Sequence, residues 1–180
     1  SSFNQYIYNW DVSQVDNMSG MFDSADSFNQ YISSWNVSNV KDMSNMFSYA
    51  ASFDKYIGSW DVSQVENMSG MFAGAENFNQ NIGSWNVFNV KDMSRLFAGT
   101  DNFNQDISLW NVSNVDNMSG MFANTVFSKD ISRWNVFSVK DMSSMFERAV
   151  FFNSDISSWN VSNVKNMANM FYDAEIFSQD

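Results

Sequence analysis

The stretch Trp110–Phe122, WNVSNVDNMSGMF, is the basis of our interpretation of the fold. Its opening alternates apolar and polar side chains, so Trp110 and Val112 are expected on one face of a short strand, with Asn111 on the other. After a turn, the apolar positions fall at i, i+3, i+4 and i+7, the spacing of one helical face: Met118, Met121, Phe122 and Thr125. The stretch therefore predicts a strand, a turn and the beginning of a helix.

The same unit occurs seven times in the 180 residues. Its tryptophans recur every 25 residues, with one interval of 24: Trp10, Trp35, Trp60, Trp85, Trp110, Trp134 and Trp159. A strict period of this length is typical of a solenoid, in which each repeat buries its apolar side chains against its neighbours. We predict a single array over 1–180, part of a longer one, with coils at about 3–27, 28–52, 53–77, 78–102, 103–126, 127–151 and 152–176.

The spacing I-x2-W-x-V-x2-V matches the L-x2-L-x-L-x2-N of leucine-rich repeats. The predicted fold is therefore an α/β solenoid, leucine-rich-repeat-like, whose coils each contain a short parallel β-strand and a short helix. Val stands where the leucine-rich repeat has Asn, so the backbone of the turn needs another hydrogen-bonding partner. The residue before that Val is the candidate: Gln14, Asn39, Gln64, Asn89 and Asn114.

Charged residues give independent evidence on how the coils stack. Six residues after each tryptophan the sign alternates between successive repeats, except at the last step: Asp16, Lys41, Glu66, Lys91, Asp116, Lys140 and Lys165. In a parallel, in-register stack such residues lie about 4.8 Å apart, where opposite charges attract and like charges repel. Duplication in larger units also produces alternation, but it does not explain why like pairs are avoided. The pattern favours in-register stacking.

The composition argues against several classes of function. The net charge is −11 and no basic cluster is present, which argues against nucleic-acid binding. The chain has no cysteine and no histidine, so thiolate and imidazole chemistry are absent, and the carboxylates lie in rows rather than as a facing pair. We predict no enzyme activity, no cofactor and no membrane insertion.

Four residues before each tryptophan, tyrosines give way to carboxylates along the array. The first three repeats have Tyr6, Tyr31 and Tyr56, which together with Phe88 and Phe137 are candidates for contacting sugar rings or a protein partner. The alternative is aromatic stacking between coils that only stabilises the fold. The later repeats have Asp106, Asp130, Asp155 and Asp180, a candidate calcium site whose alternative is a solvated acidic stripe.

The two ends of the array have the composition of ordinary repeats rather than polar caps. Solenoids need polar terminal repeats to cover the ends of the core, and no proline blocks an edge. Either flanking sequence covers these ends, or they join chains head-to-tail into a filament. The candidate assembly residues are Phe3, Ile7, Trp10, Phe171 and Phe177.

The consensus FNQ-x-I-x2-WNVSNV-x2-MS-x-MF, nearly complete at 103–122, resembles the tandem repeat of about 25 to 26 residues in bacterial surface lipoproteins. That family is a domain of unknown function known from Mycoplasma and Listeria surface proteins. The resemblance covers the whole chain and implies a leucine-rich-repeat-like solenoid at the cell surface or outside the cell. It also implies adhesion or binding of a protein or glycan, with no catalytic residues. Filament formation is the alternative function.

Overall fold

The computed structural model describes residues 2–178, whose backbone forms a stack of coils built from turns. Equivalent residues of successive coils are joined by parallel bridges: Asn17–Asp42, Asp42–Asn67, Asn67–Asp92, Asp92–Asn117, Asn117–Asp141 and Asp141–Asn166. Opposite charges also meet as the sequence predicted, since Lys91 Nζ lies 3.0 Å from Glu66 Oε2 and Lys140 Nζ lies 3.0 Å from Asp116 Oδ1. The parallel, in-register arrangement is confirmed.

The prediction of an α/β, leucine-rich-repeat-like solenoid is wrong. Residues 2–178 contain no helix and no strand longer than a single bridged residue. None of these residues forms a helix with the length and hydrophobicity needed to cross a membrane. The predicted short strand at Trp110–Val112 is irregular backbone between two turns, without strand pairing, and the predicted helix from Met118 onward is a run of turns.

The turns reproduce the apolar spacing of a helix, which explains the wrong prediction. In the fourth coil, Leu96 N–H bonds to Met93 O at 3.2 Å and Thr100 N–H bonds to Phe97 O at 3.0 Å. These turns bury their first and fourth residues, which are therefore spaced i, i+3, i+4 and i+7. Their third residues, Arg95 and Gly99, have φ of 54° and 66°, outside the helical region.

Within these consecutive turns, the backbone N–H groups of alternate residues bond to the next coil instead of to their own coil. N–H groups of Met118, Gly120, Phe122 and Asn124 bond to carbonyl oxygens of the following coil at 2.7–2.9 Å, whereas Met121 and Ala123 bond within their own turns. We refer to this part of each coil, from the first methionine to the second positive φ, as the turn segment. The backbone thus satisfies its polar groups without helix or sheet.

Stacked aromatic rings form the core of the array. At each junction between coils, the phenylalanine of the turn segment in one coil contacts the first phenylalanine of the next coil at a centroid distance of 3.8–4.2 Å, as in Phe72–Phe78 and Phe122–Phe127. Their rings also stack on those of the next coil, as in Phe72–Phe97 at 5.8 Å. From the second coil to the sixth the tryptophans are at most 4% exposed. Each of these rings therefore contacts rings of neighbouring coils.

Two rows of side chains bond the coils to one another. Each tryptophan from Trp35 onward donates its Nε1–H to the isoleucine carbonyl of the preceding coil, as from Trp85 to Ile57 O at 3.2 Å. An asparagine row runs beside the phenylalanines, in which Asn79 Oδ1 accepts the N–H of Asn104. The sequence predicted that the residue before the second valine takes over the hydrogen bonding that Asn provides in leucine-rich repeats. This is confirmed at three positions, where Asn39, Asn89 and Asn114 donate to a carbonyl of the preceding coil at 2.7–2.9 Å.

Candidate functional site

The position four residues before each tryptophan forms a continuous exposed row, which we call the Tyr–Asp row: Tyr6, Tyr31, Tyr56, Asn81, Asp106, Asp130 and Asp155. Tyr6 is 79% exposed, Tyr31 66% and Tyr56 51%. The stacked ring pairs of the described residues are formed by phenylalanines and tryptophans, and these three tyrosines are not among them. Inter-coil stacking therefore does not account for them.

A shallow cavity of about 320 Å³ lies beside the first two tyrosines. It is lined by Tyr6, Ile7, Tyr8, Gln30, Tyr31 and Ser34. Two of its polar side chains donate hydrogen bonds inside the stack: Ser34 Oγ–H to Tyr8 O at 3.2 Å and Gln30 Nε2–H to Asn4 Oδ1 at 2.8 Å. On the other side, Lys55 Nζ lies 4.7 Å from the Tyr31 ring centroid, a cation–π contact. The surface offered to a ligand is mainly aromatic.

The carboxylates of the row stabilise the turns that follow them. Asp106 Oδ1 accepts the N–H of Ser108 at 2.9 Å, and Asp130 and Asp155 do the same for Ser132 and Ser157. The Ser108 hydroxyl and N–H hold the pKa of Asp106 below its usual range, and the Ser157 hydroxyl and N–H do so for Asp155. For Asp130 the Ser132 N–H is the main cause of its lowered pKa, followed by the Ser132 hydroxyl. These exposed carboxylates stay ionised in mildly acidic solution.

The calcium prediction named Asp106, Asp130, Asp155 and Asp180. Within residues 2–178, no three acidic side chains converge into a group that could hold a metal ion, and Asp180 lies outside the described residues. Each of the three described carboxylates has one oxygen engaged by its own turn. Their arrangement is that of a row of solvated carboxylates rather than a coordination sphere.

Phe88 and Phe137 lie on a different corner of the stack from the tyrosines. They occupy the turns Val87–Val90 and Val136–Val139 and are 45% and 48% exposed. The structure therefore does not bring these two phenylalanines together with the tyrosines.

Leu109, which was not among the predicted site residues, is 83% exposed. Serines at the Leu109 position of other coils donate a hydrogen bond to the preceding coil, as Ser84 Oγ–H does to Gly58 O, and leucine cannot.

The predicted assembly residues differ in exposure. Trp10 is 51% and Phe3 37% exposed, whereas Ile7 is 2% exposed, and its carbonyl accepts the Trp35 indole N–H. Phe171 and Phe177 are partly buried, and their rings stack on each other at 4.1 Å. The exposed part of the first coil is thus centred on Trp10.

A second set of surface side chains, which the sequence did not predict, lies at the positive-φ positions. The Tyr49 ring lies over Gly74 so closely that a Cβ there would be 2.6 Å from Tyr49 Cδ1. A Cβ at Gly70 would likewise clash with Asn45 Oδ1. A signal was present in the sequence, because three of these larger residues are each followed by a glycine at the same position of the next coil: Asn45 by Gly70, Tyr49 by Gly74 and Arg95 by Gly120.

Comparison with known proteins identifies the family and nothing beyond it. No curated protein and no solved structure matches the chain. A family model matches residues 1–82 and 110–180, and the unmatched segment has the same coil geometry, with Trp85 4% exposed and bonded to Ile57. The chain therefore belongs to the family described as "Mycoplasma protein of unknown function, DUF285".

Proposed function

We propose that this chain is a non-enzymatic binding protein, at the cell surface or outside the cell, that binds a basic protein segment along its Tyr–Asp row. The observation that carries the proposal is the alignment of three exposed tyrosines with three exposed carboxylates on successive coils of one stack. The resemblance to bacterial surface repeats supports the location. The spread of the carboxylates along the row supports binding rather than acid–base catalysis.

The chemistry of the row favours a protein partner over a glycan. Tyrosines are common anchors of protein interfaces because a large rigid ring is fixed at low entropic cost. A sugar needs polar groups for its hydroxyls, but Gln30 and Ser34 beside the tyrosines already use their donor groups within the stack. The carboxylates beyond Asn81 complement Lys or Arg, and the net charge of −11 attracts a basic partner.

The proposal is tested by selecting peptides from a random displayed library on the immobilised chain. We expect enriched peptides with aromatic or aliphatic residues at one end and Lys or Arg at the other. Their binding should weaken at least about tenfold in Tyr31→Ala and in Asp130→Asn, which keeps the turn acceptor and removes the charge. Affinity should fall with added salt and stay constant from about pH 7 to pH 5, because the carboxylate pKa values are lowered.

The matched control is Tyr172→Ala, which removes a tyrosine of 55% exposure from another part of the surface. It should leave peptide binding unchanged. Selected peptides that bind Tyr31→Ala and Asp130→Asn as well as the parent would refute the proposal. A glycan array probed in parallel would also refute it if the parent bound a glycan and Tyr31→Ala did not.

A further inference from the structure

Two cavities lie side by side on the face formed by the turn segments, and Arg95 lines both of them. The first, of about 380 Å³, spans the second to fourth coils, and the second, of about 320 Å³, spans the fourth to sixth. The coil in the middle of each cavity contributes small residues, Gly70 with Ala73 and Gly120 with Ala123. The lining residues do not include any member of the Tyr–Asp row. This is therefore a separate surface of the stack.

Ser48 brings to the first cavity a hydroxyl group that the fold does not use. The residue is 5% exposed, and within residues 2–178 its Oγ has no hydrogen-bonding partner. Buried polar groups are almost always hydrogen-bonded, and the same part of the chain has no fully enclosed side-chain oxygen without a partner. The Ser48 hydroxyl must therefore open into the cavity that it lines. The equivalent residues of the next three coils are alanines, so packing at this position needs no hydroxyl: Ala73, Ala98 and Ala123.

Arg95 is the only charged residue that lines the first cavity. Its side chain lies over Gly120, and its guanidinium forms no ion pair within the described part of the chain. A guanidinium presents a planar fork of N–H donors that matches a carboxylate. The net charge of −11, and Glu147 in the second cavity, repel a ligand with many negative charges. A ligand with a single carboxylate fits this surface best.

The other lining groups suit a sugar ring. Tyr49 is 54% exposed and its ring lies over Gly74, so it offers a flat apolar surface beside the first cavity. Ser69 and Ser94 add hydroxyls that have no partner within residues 2–178, although their backbone N–H groups are bonded to side chains of their own turns. Hydroxyls both donate and accept, as the hydroxyls of a sugar require.

We propose that the two cavities bind an acidic oligosaccharide, with the carboxylate of one sugar residue on Arg95 and the rings in the cavities on either side. Arg95 supplies the charge, Tyr49 the apolar surface and the serines the hydrogen bonds. An acidic peptide would also pair with Arg95, but it carries few hydroxyl groups to satisfy Ser48. This site differs from the Tyr–Asp row in place, charge and ligand, and it does not depend on the function proposed for that row.

The test begins with a glycan array that carries oligosaccharides with one uronic or sialic acid residue, next to their neutral analogues. We expect the chain to bind at least one acidic glycan, and titration calorimetry then gives its affinity. Arg95→Gln should weaken this binding about tenfold, and so should reduction of the ligand carboxylate to an alcohol. The two changes together should weaken binding little more than either one, because both remove the same contact. Ser48→Ala should weaken it roughly fivefold, and alanine at this position in the following coils makes the variant compatible with the fold.

Two matched controls locate the site. Arg148→Gln removes an arginine that is already paired with Asp173 at 3.6 Å, and Tyr31→Ala removes a tyrosine of the Tyr–Asp row. Both should bind the acidic glycan like the parent. A chain that prefers no acidic glycan to its neutral analogue would overturn the proposal, and so would full binding by Arg95→Gln or an equal loss in Arg148→Gln. A glutamate-containing peptide that binds with the same sensitivity to Arg95→Gln and Ser48→Ala would assign the cavities to an acidic protein segment instead.

Discussion

Trp85 shows how a single side chain ties three coils together. Its ring stacks on Trp110 of the next coil at 6.5 Å and lies 6.4 Å from the Phe72 ring of the preceding coil. Its indole N–H bonds to Ile57 O. The inward position of Trp85 followed from sequence periodicity and is confirmed by its 4% exposure, but the hydrogen bond did not follow from the sequence.

We expect Trp85→Ala to lower the free energy of unfolding by about 3–5 kcal/mol, because it leaves a large cavity and an unpaired carbonyl. Trp85→Phe should cost less, since it keeps a ring and loses mainly the hydrogen bond, worth about 1 kcal/mol. Urea denaturation in dilute solution measures both. Trp10→Ala is the matched control. It should lower the free energy of unfolding least of the three variants, because Trp10 is half exposed and lacks the indole hydrogen bond to a preceding coil. Equal costs at the two positions would contradict this account.

The turn segment is the part of each coil that sequence reasoning misjudged. Its apolar spacing is compatible with a helix, and the deciding signal lay in the residues between the apolar positions. Gly20, Gly70 and Gly120 share one positive-φ position, and Gly74 and Gly99 share the other. Glycine adopts positive φ without steric cost, so its recurrence at two positions four residues apart indicates consecutive turns. Non-glycine residues such as Arg95 and Tyr49 at the same positions obscured that signal.

Two glycines of this segment separate backbone strain from side-chain contact. Gly99→Ala should cost about 1–2 kcal/mol, because alanine is strained at a φ of 66° while its Cβ meets nothing closer than 3.8 Å. Gly74→Ala has a similar φ, and its Cβ also meets the Tyr49 ring at 2.6 Å. It should therefore lower the free energy of unfolding further. Thermal unfolding of both variants measures the difference.

The same two substitutions in a Tyr49→Ala background provide the control. Removing the ring should make Gly74→Ala and Gly99→Ala cost nearly the same. A gap between them that persists without Tyr49 would show that the ring is not its cause.

Along the full stack, register is maintained by rows of equivalent side chains in successive coils. Lys91 pairs with Glu66, and both side chains are more than half exposed, so this ion pair contributes little by itself. The main effect of the ion pair is to disfavour a shifted register of the coils. In a shifted register, equivalent asparagines and phenylalanines would also lose their partners. The alternation of charge predicted the register correctly, because it reflects contacts between equivalent residues.

Lys91→Asp would place a carboxylate between Glu66 and Asp116. We expect a loss of stability of some tenths to about 1 kcal/mol at low salt, shrinking as salt screens the repulsion. Lys165→Asp is the matched control, because its neighbour in the stack is Lys140 and the same substitution replaces a like pair by an opposite one. It should leave stability unchanged or slightly raise it. Urea denaturation at two salt concentrations distinguishes these outcomes, and a loss at Lys91 that ignores salt would speak against in-register neighbours.

The sequence alone determined the period, the buried columns and the in-register stacking, and it placed the tyrosines and carboxylates in one column. Each of these follows from a side chain whose environment repeats every 25 residues. The path of the backbone within a coil was decided only by the tertiary structure. The physical reason is that turns and helices bury residues at the same spacing, and the choice between them depends on where each N–H finds its acceptor. In this stack the N–H groups of alternate residues in the turn segment find it in the neighbouring coil. The recurring glycines indicate turns, but they do not record which coil supplies the acceptor.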